Sequence, residues 1–165
     1  MDKDELSSTL TNWIINFVEV SNKNLNGWAP CPYVRQARIK NQIEFLHSEI
    51  TDFNETINNG IILLDKFEVI VIYFNHTEID PVVLQEFVES KNKDIMQNNY
   101  VILEDHPYNP EYINGVKMNF GHCGLLILQK LDKLNVASEN LKRQGYYNVW
   151  SDKDLDNVVN WRINT

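Results

Sequence analysis

Apolar positions along this chain fall into two rhythms. Leu6, Leu10, Trp13, Ile14 and Phe17 recur at helical spacing, so residues 5–20 predict an amphipathic helix. The same spacing predicts a helix over 52–65, where Phe53, Ile57, Ile61 and Leu64 share a face. Ile43, Phe45 and His47 alternate instead, which predicts a strand over 42–49. Phe67 to Phe74, with Val69-Ile70-Val71-Ile72 inside it, is almost continuously apolar and β-branched, the pattern of a strand buried on both faces. Asp80-Pro81 then opens a helix that turns Leu84, Phe87 and Val88 inward, and Tyr100-Val101-Ile102-Leu103 predicts a third strand.

Turn formers divide these segments. Asn22 to Gly27 closes the first helix, and Pro32 is placed to open a short one running through Arg38. Pro107 stops the third strand, and Asn114-Gly115 between Tyr112-Ile113 and Val116-Lys117-Met118 predicts a hairpin. The apolar run from about Gly121 to Leu134 reads as a helix. A second helix follows from about Val136 to Gln144, with Gly145 as its terminator. Ser151-Asp152-Lys153-Asp154 reads as the capped start of a last helix carrying Leu155, Val158 and Val159. Strands alternating with helices predict an α/β (or α+β) fold: a small parallel or mixed central sheet of about three to five strands, with helices packed on it. With no internal repeat and no linker, residues 1–165 read as a single domain.

Charge narrows the function classes. The 165 residues are 43% apolar and carry 15 Lys+Arg against 23 Asp+Glu, a formal net charge of −8. Phosphate-backbone binding needs a basic footprint, so nucleic acid is excluded as an expected partner, and an anionic membrane surface with it. No apolar run reaches the roughly 20 residues of a membrane helix. The acidic start Met1-Asp2-Lys3-Asp4-Glu5 is unlike a secretory signal, so the expected location is cytoplasmic and Cys31 and Cys123 are expected to be free.

Three clusters carry candidate chemistry. In Pro30-Cys31-Pro32-Tyr33-Val34-Arg35-Gln36-Ala37-Arg38, a helix begun at Pro32 would place Cys31 at its cap. Free N–H groups there favour a thiolate, and Arg35 and Arg38 add positive charge along the next turns. A buried small residue between two prolines is the plainer reading. In Glu104-Asp105-His106-Pro107, just beyond a strand end, Asp105 and His106 could supply acid–base groups; the alternative is a polar turn closed by proline. In Gly121-His122-Cys123-Gly124, the glycines let backbone approach a ligand closely, and the expected helix behind them would attract an anion. Cys31, His106, His122 and Cys123 form a nominal zinc set, although no Cys-x2-Cys or His-x3-His pair supports it. No cofactor motif is present.

The order of these motifs bears a likeness. A Trp-bearing helix with Asn12-Trp13-Ile14, then Cys31-Pro32-Tyr33, then a strand–helix–strand unit, then His106-Pro107 resembles a bacterial family of uncharacterised proteins with those features. The likeness spans roughly residues 10–135. That family's later Arg-Ser-Pro-Tyr-Pro segment has no counterpart, and Gly121-His122-Cys123-Gly124 stands in its region. The resemblance implies the architecture and draws attention to Cys31 and His106; it implies no reaction.

These readings converge on a pocket for a small anionic ligand. Cys31 would be the thiolate or ligand, His106 with Asp105 the acid–base pair, and Arg35, Arg38, Gly121, His122 and Gly124 the binding groups. Residues 28–40 and 116–124 hold Arg35, Arg38, Lys40 and Lys117 and no acid, a locally basic mouth in an acidic protein. Two other expectations stand beside this one: an acidic, non-enzymatic module for a protein partner or self-association, and a structural zinc domain.

Overall fold

Five consecutive residues of one strand, Ile70 to Phe74, are buried, and this strand is the centre of the molecule. The computed structural model describes residues 2–163. Strand β1 (Ile43–His47) lies parallel to β2 (Val69–Phe74), as expected for a strand–helix–strand unit joined by helix α3 (Phe53–Leu63). Helix α4 (Pro81–Ile95) then leads to β3 (Tyr100–Asp105), and a two-stranded hairpin follows, β4 (Tyr112–Ile113) with β5 (Val116–Lys117). Asn114 and Gly115 both take positive φ at its turn, which explains why that pair forms it.

The next segment departs from the sequence reading. Gly124–Lys130 is not helical; it is strand β6, inserted between β2 and β3 and antiparallel to both. The four-stranded order is β1-β2-β6-β3, so the fold is α+β with a mixed sheet. An unbroken apolar run of this length suits a central strand as well as a helix; both of its faces are covered, so no alternation marks it. One helix, α5 (Leu131–Arg143), follows directly, where the sequence suggested a break before Val136.

The period of two along β2 sorts the core into two layers. Ile70, Ile72 and Phe74 pack with Phe53, Ile57, Leu84, Val88 and Ile95 beneath α3 and α4. Val71 and Tyr73 face the other way, onto Leu10, Phe120, Cys123 and Leu125, under helix α1 (Lys3–Trp13). Asp2 caps α1 with a reciprocal bond to Glu5, and a π-helical turn over Ile14–Val18 extends it. A third cluster of Leu25, Ile113 and Val116 seats the hairpin against Trp28 and Trp150. Helix α2 (Val34–Ile39) precedes β1, and the short helices α6 (Asp152–Leu155) and α7 (Trp161–Ile163) complete the described residues. Among them no helix is long and apolar enough to cross a membrane.

Candidate functional site

Helix α2 begins at Val34 with Tyr33 as its cap, so Cys31 stands before the helix and not at its cap, a correction to the sequence reading. Pro30 and Pro32 both flank it; neither supplies the cap geometry, and the chain turns through residues 31–33 first. The Cys31 N–H donates to the Val18 carbonyl at 3.0 Å, tying this loop to the end of the π-helical turn. Tyr146 donates its phenolic O–H to the Pro30 carbonyl. The Cys31 residue is open to solvent, yet protein crowds its sulfur closely enough that desolvation pushes the thiol up from its ordinary value. The N–H groups of Tyr33 and Val34 pull the other way without prevailing. The arrangement keeps a neutral thiol where the sequence suggested a thiolate.

The two arginines of α2 have different surroundings. Arg38 forms a two-pronged pair with Glu19, Nε to Oε2 at 2.8 Å and an Nη to Oε1 at 2.7 Å. Its charge is therefore engaged within the fold. Arg35 is exposed and has no ion pair within 4.0 Å among the described residues.

His106 is buried at 3% exposure and fully engaged. Its Nε2 lies 3.1 Å from the His76 carbonyl and 2.8 Å from that of Ile79, and the Tyr108 N–H donates to Nδ1 at 3.0 Å. Two acceptors at Nε2 and a donor at Nδ1 assign the proton to Nε2. The ring thus clasps the loop after β2 to the exit of β3. Asp105 is engaged too: Asn119 Nδ2 donates to one carboxylate oxygen at 2.9 Å and the Phe120 N–H to the other at 3.0 Å. Burial pushes its carboxyl up, while Asn119, the Phe120 N–H, His106 and Lys117 draw it back.

The Gly121–Gly124 segment is a loop leading into β6, so no helix N-terminus stands behind it. Gly121 takes φ +86°, a conformation that favours glycine. His122 is exposed beside Phe120, with ring centroids 5.0 Å apart. Cys123 is buried, and desolvation pushes its thiol up to about 12. At Gly124 the Phe74 ring occupies the space a Cβ would need. Its role is packing. Among the described residues no three His, Cys, Asp or Glu side chains are grouped to hold a metal ion, and the zinc set of Cys31, His106, His122 and Cys123 is not assembled.

What the fold does place between Tyr33 and α5 is a shallow groove of about 300 Å³, lined by Tyr33, Asp132, Lys133, Val136, Ala137 and Asn140. Tyr33 and Val136 present 42% and 61% of their surfaces to solvent, giving it apolar walls. The Asp132 carboxylate is tied back by Asn99 and accepts the Lys133 N–H at 2.7 Å, whereas Lys133 itself forms no ion pair among the described residues. Lys133 was legible in the sequence only as part of a stripe with Lys130, Lys142 and Arg143, which reads as a solvated face. Tyr33 and α5 are a hundred residues apart in the chain, so no local signal joins them. Compared with known protein families, curated proteins and solved structures, the chain has no match.

Proposed function

We propose that this protein binds a small anionic ligand with an apolar body in the groove between Tyr33 and α5. The observation that carries the reading is the groove itself: exposed Tyr33 and Val136 for the apolar part, Lys133 at its lining, and Asn140 as a polar neighbour. Exposed Arg35, two residues beyond Tyr33, adds to the attraction. Binding is favoured over catalysis because the Cys31 thiol is held neutral and the His106 nitrogens are both engaged elsewhere.

Thermal shift with phenyl phosphate, benzoate and inorganic phosphate tests this. At about 10 mM, ligands binding with millimolar affinity raise the melting temperature by mass action. The aromatic anions are expected to stabilise more than inorganic phosphate, and Lys133→Ala and Tyr33→Ala are each expected to abolish the difference. No stabilisation by either aromatic anion, or the same stabilisation in both variants, overturns the assignment.

A further inference from the structure

The two outer edges of the sheet are closed in different ways. On β3, helix α4 lies alongside, and Asn92 satisfies both outward backbone groups of Ile102: Asn92 Nδ2 donates to the carbonyl at 3.0 Å and Oδ1 accepts the N–H at 2.9 Å. On β1 no helix does this. The Gln42 carbonyl accepts the Val69 N–H and the Ser48 N–H donates to Tyr73, so the even-numbered residues turn their peptide groups to β2. Ile43, Phe45 and His47 therefore point theirs outward. All five residues of β1 are partly exposed, and among the described residues the one closure given to the outward groups is local: the Phe45 N–H donates to Glu44 Oε1 at 3.0 Å.

We propose that β1 is a strand-addition edge for a second copy of this chain, and that the Glu44 carboxylate holds the edge shut. Edge strands with unpaired N–H and C=O groups are templates for pairing, and a charged side chain is one way to blunt them. The occupant follows from the register. A two-fold axis through Phe45 pairs the whole strand with itself antiparallel, so that Phe45 meets Phe45 of the second copy, Ile43 meets His47, and Glu44 meets Leu46. No like charges face each other, and each outward residue exchanges its N–H and C=O with a partner. Ile43 and Phe45 belong to the layer beneath α1, and the same two-fold sets that layer beside its copy on one face. An axis through Glu44 instead would oppose two carboxylates. A single pair of five-residue strands is a small interface, so association of the native chain is weak and the Glu44 bond weakens it further.

Sedimentation equilibrium of the native chain and of Glu44→Ala, with hydrogen exchange read at the same concentrations, tests the proposal. Glu44→Ala is expected to tighten dimerisation by about tenfold to a hundredfold, the worth of two competing hydrogen bonds, one in each copy. The amides of Ile43, Phe45 and His47 gain protection as the dimer forms. A Glu44→Ala, His47→Pro double variant removes one outward N–H without touching the ladder to β2, and is expected to return the chain to monomer with unchanged far-UV circular dichroism. Equal association of native chain and Glu44→Ala, no association of either, or a dimer whose three amides exchange at monomer rates overturns it.

Discussion

The Asn92 side chain reads the backbone of Ile102 as a neighbouring strand would, donating to its carbonyl and accepting its N–H at 3.0 and 2.9 Å. Both residues are buried, at 4% and 0% exposure, so water cannot take over either bond. A polar residue at this position of α4 is therefore part of the sheet. Asn92→Leu leaves a buried N–H and a buried carbonyl unpaired. The expected loss is about 2–4 kcal/mol in urea unfolding, from two groups at the usual penalty each. Asn92→Asp keeps the acceptor for the N–H but sets an oxygen against the Ile102 carbonyl, and is expected to be destabilising as well. Stability within 0.5 kcal/mol of native for the leucine variant, the usual range for an uninvolved surface site, contradicts this role.

Gly124 explains why β6 can lie against Phe74. A Cβ at that position would stand 2.2 Å from Cε2 and Cζ of the Phe74 ring, which is itself buried at 0% exposure. Gly124→Ala is expected to cost about 3 kcal/mol, at the upper end for overpacking, because a buried ring cannot swing clear. Phe74→Leu makes room, so the double variant is expected to lose less than the sum of the single losses. Additive losses would show that the two residues do not meet.

Much of the fold was legible where local chemistry decided it. The two-faced burial of β2, the Asp80-Pro81 start of α4 and the Asn114-Gly115 turn are each fixed by residues within a few positions. β6 was not legible, because Leu125-Leu126-Ile127-Leu128 becomes a strand only through the neighbours it acquires on both sides. The site divides in the same way. Asp105 and His106 do lie at a strand end, as their positions implied, but their partners, Asn119 with Phe120 and the carbonyls of His76 and Ile79, come from loops 14 to 30 residues away. A titratable pair at a strand end looks the same in sequence whether it faces a ligand or holds two loops together.

The buried thiol of Cys123 makes stability fall in alkali. In the unfolded chain a cysteine ionises from about pH 8.5. The folded chain holds the Cys123 proton up to about 12, chiefly through desolvation. Between those values the unfolded state releases a proton that the native state keeps, so stability decreases as pH rises, by up to about 1.4 kcal/mol per pH unit. Cys123→Ala removes this contribution. Urea midpoints between pH 8 and pH 10 are expected to decline less steeply for the variant than for the native chain. Equal slopes would mean that Cys123 ionises as freely in the fold as outside it. In the same pH range Cys123 is expected to react with thiol reagents only under denaturing conditions.

The Glu19–Arg38 pair gives a dependence of the opposite sign. Arg38 hydrogen bonds hold the Glu19 carboxyl below its ordinary range against the opposing pull of burial, with Arg35 adding a smaller charge effect. A lowered carboxyl contributes stability above the unfolded value of 4.5, and loses it as pH falls through the folded value. Glu19→Gln keeps the shape and removes the charge, so at neutral pH its urea midpoint is expected to lie below that of the native chain. On acidification through its lowered folded value the native Glu19 takes up a proton and comes to resemble glutamine, so the two midpoints converge. A gap that stays constant between these conditions would assign the cost of the substitution to packing. A gap that closes shows that the guanidinium of Arg38 is committed to this carboxylate.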